Sequence, residues 1–304
     1  MRRRGRFFVP VAVATVTVAL LGAPASRGEP VRGRSRTLHV PEDPRSAFFA
    51  DLVRLQAARA LGNRLPPAGG GDPLRPSVCV TIAMDSVQIW ETAVVSLKGA
   101  AFPRAGLATC PGVCSVPLRD AALRALADHM EYLEVSGMGA SAGLSPRFLI
   151  LADAEIPYET VLMVLRSLAA TTAGAPPGLD LAFLTGNGIR AAPVHIPPPD
   201  PLPLRAAANH MLLEVIINPG GRGYLLRAAP FYIPEPVSLA GADDLAAFLG
   251  HLHSRDPGRQ TAFIAAEPRT AFKHVAHALD VVRRELPIVV LKPPGALPVR
   301  VTNR

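Results

Sequence analysis

Residues 148–168 read FLILADAEIPYETVLMVLRSL, and they decide the fold because an apolar run passes through an acidic turn into a helical pattern. The run at residues 148–151 has the length and composition of a buried strand. Pro157 suits the first turn of a helix, and the apolar residues after it recur at three- and four-residue spacing. The stretch therefore predicts a strand, a turn and an amphipathic helix.

A second stretch, residues 262–282, repeats this pattern without a gap and reads AFIAAEPRTAFKHVAHALDVV. In the alignment Asp153 meets Glu267, and Tyr158 meets Phe272. The patterns around both stretches follow one order of elements, β-β-α-β-α-β. We therefore expect an α+β fold of two tandem small domains, each with its helices packed on a mixed sheet.

The other segments are predicted as connections around these two domains. The tether is expected to contain a short amphipathic helix, because Phe48, Leu52, Leu55 and Ala58 lie at helical spacing. The linker is rich in proline and should be a stiff spacer. In chain order the predicted segments are a leader (1–25), the tether (26–76), the first domain (77–186), the linker (187–209), the second domain (210–292) and a tail (293–304).

The leader has the order of a secretory signal. Residues 1–6 are rich in arginine, residues 7–21 are an apolar run, and Ala23-Pro24-Ala25 supplies small residues for cleavage. Two alternatives stay open, a cleaved signal peptide, which we favour, and an uncleaved anchor in the inner membrane. Both place the rest of the chain in the periplasm.

The composition excludes one large class of function. Of 304 residues, 49% are hydrophobic and 18% are charged, which is typical of a globular protein. The formal net charge is +8, but Arg2, Arg3, Arg4 and Arg6 in the leader supply half of it. Aromatic residues make up only 5% of the chain. The sequence shows neither a stripe of basic residues that could follow a phosphate backbone nor a set of aromatic residues for base stacking. We therefore expect no nucleic-acid partner.

The cysteines and the acidic junction residues have structural interpretations. Cys110 and Cys114 bracket a turn-forming Pro-Gly-Val segment and could close a small disulfide loop, whereas Cys79 is expected to be a buried thiol. Asp153 and Glu267 follow strands and precede helices, which favours helix capping. The less favoured alternative makes Asp153 and Glu155 an acid–base pair.

The remaining polar motifs give no catalytic site. His274 and His277 are three residues apart on a predicted helix, which is compatible with a metal but is more typical of a solvated face. Residues 220–223, Gly-Gly-Arg-Gly, are not followed by a helix and predict a hairpin turn instead of a phosphate loop. We therefore expect no enzyme activity, no cofactor and no metal.

The stretch from residue 148 to 168, followed by LAFLT at residues 181–185, resembles the exported domain of the ExbD/TolR family of biopolymer-transport proteins. The resemblance covers residues 77–186 and extends in weaker form to residues 210–292, where the positions equivalent to Pro157 and Tyr158 hold Ala271 and Phe272. It implies a small α+β domain that works in the periplasm beside an ExbB/TolQ-like inner-membrane partner or an envelope component.

Members of that family carry an aspartate in their N-terminal membrane helix, where it takes part in proton movement. The corresponding run here, residues 7–21, has no Asp or Glu, and Thr15 and Thr17 are its only polar residues. An intramembrane carboxylate is the group on which such a function depends. We therefore expect a non-catalytic binding component with intramolecular domain pairing or a homodimer, or alternatively a free periplasmic or secreted binding module with no motor role.

Overall fold

The two halves of the chain share the order β-β-β-α-β-α-β, to which the first half adds an N-terminal helix, a hairpin and a final strand. The computed structural model describes residues 44–110, 112–135, 146–171, 177–197, 213–228, 233–255, 257 and 261–293. The elements of the first half are α1 (Pro44–Leu61), β1 (Val78–Ile82), β2 (Ser86–Ile89), β3 (Thr92–Ser96), β4 (Leu107–Cys110), β5 (Gly112–Ser115), α2 (Val116–Val135), β6 (Arg147–Ala152), α3 (Tyr158–Ala169), β7 (Gly178–Thr185) and β8 (Gly188–Val194). Those of the second half are β9 (Leu213–Ile217), β10 (Tyr224–Arg227), β11 (Val237–Leu239), α4 (Ala242–Arg255), β12 (Thr261–Ala266), α5 (Phe272–Glu285) and β13 (Ile288–Lys292).

Each half contains a mixed sheet, and the two sheets have equivalent strand orders. The first has the order β3-β2-β1-β6-β7-β8, and the second has the order β11-β10-β9-β12-β13. Each sheet contains three consecutive parallel strands, β1, β6 and β7 in the first and β9, β12 and β13 in the second, with an antiparallel hairpin beside them. The predicted α+β class with helices on mixed sheets is therefore confirmed.

The structure adds strands that the sequence patterns did not separate. β2 and β3 follow one another directly, with a turn at Trp90, whose φ is +54°. The Trp90 ring packs edge-on against Phe49 at a centroid distance of 6.3 Å, which holds the turn against α1. Between β3 and α2 the first half also contains the separate hairpin β4–β5, which has no equivalent in the second half.

One hydrophobic core cluster contains residues of both halves. Buried side chains of β6 and α3, such as Ile150 and Leu165, belong to the same cluster as Ile264 and Leu279 of β12 and α5. All described residues lie in one compact unit, Pro41–Arg304. The two halves are thus packed together through their apolar surfaces.

The short helix predicted within residues 26–76 is confirmed as α1. Residues 44–76 are not an extended tether, however, because α1 and the segment after it pack on the first half. Phe49, Val53, Ala57 and Leu61 of α1 are buried against the face of the first sheet opposite the other helices. The irregular segment that follows is held by main-chain hydrogen bonds, from Ala68 N to Leu184 O and between Asp72 and Ala191 in both directions.

The predicted linker at residues 187–209 begins too early, because residues 188–194 form strand β8. Although β8 contains Pro193, it pairs with β7 along its length. Just beyond it, His195 N donates to Val289 O and His195 O accepts from Leu291 N, so the chain also bonds to β13. The leader, the tether before residue 44, the linker beyond residue 197 and the tail after residue 293 lie outside the described residues.

Candidate functional site

The two halves meet at their equivalent strand-to-helix junctions. Tyr158 N donates to Thr270 O at 2.8 Å, and the equivalent Phe272 N donates to Ile156 O at 2.9 Å. Pro157 and Ala271, which are also equivalent, form an antiparallel bridge at the centre of this contact. The exchange of equivalent bonds is the geometry of a local two-fold axis inside one chain.

A second pair of bonds follows the same symmetry. Glu159 N donates to Pro268 O at 3.0 Å, and Lys273 N donates to Ala154 O at 2.8 Å. The first-turn N–H groups of a helix have no partner within the helix. Here those of α3 and α5 bond to carbonyls of the opposite half, so each half completes the helix start of the other.

The junction also explains why the helix caps predicted for Asp153 and Glu267 are wrong. The residues before α3 and α5 are Pro157 and Ala271, and neither helix start has a side-chain capping bond. Asp153 Oδ1 instead accepts from Glu155 N at 2.9 Å, inside the tight turn before the helix. Glu267 is exposed. The carbonyls of the opposite half occupy the positions that these carboxylates were expected to take.

Asp153 and Glu155 do not form an acid–base pair, because their carboxylates bind different cations. The carboxylate of Asp153 is fully buried, and its Oδ2 lies 2.8 Å from Nη2 of Arg64. Glu155 lies at the surface and contacts Lys273 Nζ of the second half at 2.6 Å. Both ion pairs anchor the junction, one to the segment after α1 and one across the two halves.

Tyr158 is the largest side chain buried at this junction. Its hydroxyl can donate a hydrogen bond to either of two main-chain oxygens of the second half. Lys292 O lies 3.0 Å from the hydroxyl oxygen, and Ile264 O lies 3.2 Å from it. Burial raises the pKa of the phenol well above its ordinary value. The hydroxyl therefore stays protonated and can act only as a structural donor at any ordinary pH.

Among the described residues, the structure brings no further potential metal ligand to His274 and His277. His274 packs directly against Gly221 of the β9–β10 turn, leaving no room for a side chain at that glycine. Burial and the neighbouring Lys273 lower the pKa of His274, opposed by Glu155. In the part of the chain that the structure describes, no group of three His, Cys, Asp or Glu residues could hold a metal ion.

A buried ion pair in the second sheet was missed by sequence reasoning. Lys292 Nζ lies 2.7 Å from Glu214 Oε1, and both side chains are 1% exposed. The pair lies on the face of the second sheet opposite the shared core, beside the ring of Phe263. The only signal in the sequence is a glutamate inside the apolar strand Leu-Glu-Val-Ile-Ile, matched by a lysine after Ile-Val-Val-Leu.

The cysteines form one disulfide and one buried free thiol. Cys110 and Cys114 form a disulfide with a Cα–Cα distance of 5.9 Å in the β4–β5 hairpin. Ser115 N at the end of that hairpin donates to Ser167 Oγ of α3 at 2.9 Å. Cys79 is a buried free thiol whose pKa is raised by burial to about 12.

One cavity of about 350 Å³ opens where β6, β7 and β8 meet the end of α3. Most of the residues that line it are apolar, and the lining also includes the charged side chain of Arg147. Both oxygens of Asp180 hold that guanidinium, at 2.7 and 2.8 Å from its nitrogens. The pair joins the starts of the neighbouring strands β6 and β7 and does not form a catalytic arrangement with any group described above.

Two outer strands remain as candidate contact surfaces. β3 ends the first sheet and β11 ends the second. Thr92, Ala93 and Ser96 of β3 are exposed, as is Ser238 of β11. Edge strands carry unpaired main-chain donors and acceptors that can add a strand from a partner.

No protein family, curated protein or solved structure matches this chain. Within the residues that the structure describes, no helix has the length and apolar character needed to cross a bilayer. The functional interpretation therefore depends on the geometry of the paired halves and on the patterns in the sequence.

Proposed function

We propose that this protein is a non-catalytic, exported component of the cell envelope that resembles the periplasmic part of an ExbD/TolR-type transport and energy-transduction system. It acts by binding a protein or an envelope polymer in the periplasm. The observation that carries the proposal is the local two-fold pairing of its two halves at Tyr158 and Phe272.

The pairing supports a binding role because it satisfies internally what separate domains would obtain by dimerisation. Four main-chain bonds, the Lys273–Glu155 ion pair and a common core hold the halves together. The junction surface of each half is therefore covered by the other half and is not available to a separate partner. The surfaces left for a partner are the outer strands β3 and β11, which accept an additional strand by main-chain bonding.

The chemistry of the junction also supports a structural role over a catalytic one. Its buried polar groups, Asp153 and the hydroxyl of Tyr158, are each engaged by a group of the protein. A catalytic site would instead need a nucleophile or base directed at free space. The proposed partner is an ExbB/TolQ-like inner-membrane protein or an envelope component.

A free periplasmic or secreted binding module is the second candidate. It is favoured by the leader, where residues 7–21 lack a carboxylate and Ala23-Pro24-Ala25 offers a cleavage sequence. A subunit of a membrane motor must keep its membrane segment. The N-terminal sequence of the mature protein separates the two candidates, since a start near Ser26 favours the free module.

Affinity purification of the full-length chain from envelope membranes tests the proposal. We expect co-purification of an ExbB/TolQ-like membrane protein or of an envelope polymer. A matched chain with Tyr158→Phe and Lys273→Ala, which weakens the pairing of the halves, should recover less. Recovery of neither class of partner by the unaltered chain would contradict the proposal.

A further inference from the structure

The β4–β5 hairpin carries a disulfide that the rest of the fold does not require. β4 ends at Cys110, β5 contains Cys114, and the bond joins them across a sequence separation of 4. The hairpin is a two-stranded sheet of its own, apart from the two main sheets. Among the described residues, the second half reaches the shared order of elements without such a hairpin.

The hairpin is also held in place by bonds other than the disulfide. Main-chain pairing runs along the whole of both strands. Ser115 N at the end of β5 donates to the buried Ser167 Oγ of α3 at 2.9 Å. A disulfide that closes so short a loop removes little conformational freedom from the unfolded chain. The reduced hairpin should therefore keep its fold.

The two cysteines differ in their access to solvent. Cys114 is fully buried, whereas Cys110 is half-buried and follows the exposed Thr109. On the other strand of the hairpin, Val113 is 44% exposed. Exchange between a thiol and a disulfide requires a thiolate to reach one of the two sulfurs. Cys110 is the more accessible of the two.

We propose that Cys110–Cys114 is a redox-active disulfide that exchanges reversibly with thiols of a partner. The first thiol loses its proton, and its thiolate attacks Cys110 Sγ. The S–S bond breaks, its electron pair leaves on Cys114 Sγ, and that sulfur takes up a proton. A second thiolate then attacks the partner's sulfur in the mixed disulfide and releases Cys110, which is protonated in turn. Two thiols are thereby oxidised to one disulfide, and the disulfide of the protein is reduced to two thiols.

The position of Cys114 favours its departure. It lies two residues before the start of α2, and the first turn of that helix holds no acidic residue. The positive end of a helix dipole stabilises a nearby thiolate. Burial opposes the charge, so uptake of a proton completes the step. The third thiol does not compete, because Cys79 is buried and its pKa is raised to about 12.

Equilibration of the full-length chain with mixtures of reduced and oxidised glutathione tests the redox activity. Tagging of free thiols with a maleimide after denaturation, followed by mass spectrometry, counts them at each mixture, with Cys79 as a constant background of one. We expect the bond to pass from oxidised to reduced within the tested mixtures while the far-ultraviolet circular dichroism stays unchanged. A bond that stays oxidised in a large excess of reduced glutathione, or a chain that unfolds on reduction, would overturn the proposal.

Two single substitutions test the order of attack. Cys114→Ser leaves Cys110 as the reactive thiol of the hairpin, and Cys110→Ser leaves the buried Cys114. We expect Cys114→Ser to form a mixed disulfide with oxidised glutathione at least about tenfold faster than Cys110→Ser does. Equal rates would overturn the assignment of Cys110 as the attacked sulfur.

The same measurement with an oxidised two-cysteine peptide separates two sources of thiol. A faster reaction with the peptide assigns a polypeptide partner, and a faster reaction with glutathione assigns a small thiol. The inference rests on the proposed export for the oxidising compartment in which disulfides persist. Because the purified chain is used, failure here is distinguishable from failure to recover a protein or polymer partner from envelopes.

Discussion

The hydroxyl of Tyr158 in the first half donates to the main-chain oxygen of Lys292 in the second half at 3.0 Å. This bond joins a helix start of one half to the last strand of the other, inside the shared core. Phe272, at the equivalent position of the second half, has no hydroxyl. The pairing is therefore symmetric in its main-chain bonds and asymmetric in this side-chain bond.

Removing that hydroxyl should weaken the fold measurably. Tyr158→Phe keeps the ring but leaves buried carbonyl oxygens with one donor fewer, so we expect a loss of about 1–2 kcal/mol in the free energy of unfolding. Urea denaturation measures this loss. Tyr132→Phe is the matched control, since that ring is 62% exposed and its change should be within about 0.5 kcal/mol. Equal effects of the two substitutions would contradict the role of the Tyr158 bond.

The buried Glu214–Lys292 pair predicts strong coupling between two substitutions. Glu214→Leu or Lys292→Met alone leaves an uncompensated charge in the interior and should cost about 3–5 kcal/mol. The double substitution removes both charges and should be close to neutral or stabilising. A double-mutant cycle from urea unfolding gives the coupling free energy. If the double variant instead lost the sum of the two single-variant losses in unfolding free energy, the predicted coupling would be contradicted.

Gly221 should be intolerant of a side chain for two independent reasons. Its φ is +73°, and a Cβ there would overlap the ring of His274. We expect Gly221→Ala to destabilise the chain by more than about 1 kcal/mol, as judged by thermal unfolding. Gly186→Ala is the control, because a Cβ at that position meets no atom within 4 Å. Recovery of stability on adding His274→Ala would identify the steric contribution.

Cys79 predicts a pH-dependent loss of stability. Burial raises the pKa of its thiol from 9.0 to about 12, so the unfolded chain releases this proton at lower pH than the folded chain does. The contribution of the thiol is therefore fully present below pH 9 and is lost as the pH rises towards 12, with a slope of up to about 1.4 kcal/mol per pH unit. The difference between the unaltered chain and Cys79→Ala isolates this contribution from other titrating groups. A constant difference from pH 8 to pH 11 would contradict it.

The sequence predicted the order of the main elements, because strands such as β6 and helices such as α3 have unmistakable apolar patterns. It was wrong about the burial of α1. The apolar stripe used to predict that helix, at Phe48, Leu52 and Leu55, is the exposed one, whereas the buried stripe is displaced by nearly half a turn. Two apolar stripes on one helix cannot be ranked by periodicity alone, since only tertiary contact decides which one is buried.

The other differences have a common physical origin in long-range pairing. Proline content made residues 188–194 resemble a spacer, yet Pro193 is accommodated in β8 by its pairing with β7. Asp153 and Glu267 were assigned as caps because local sequence gives no sign that carbonyls of the other half reach the helix starts. The Glu214–Lys292 contact likewise joins residues that are far apart in the chain.

Site-specific photo-cross-linking in intact envelopes tests binding through the outer strands most directly. A photoreactive residue at Ala93 on β3 or at Ser238 on β11 would probe the two sheet edges, and one at Asp128, which is exposed on α2, would serve as the control. We predict cross-links from at least one edge to an ExbB/TolQ-like protein or an envelope polymer, and none from position 128. Cross-links from neither edge, or equal yields from position 128, would contradict a binding function at these strands.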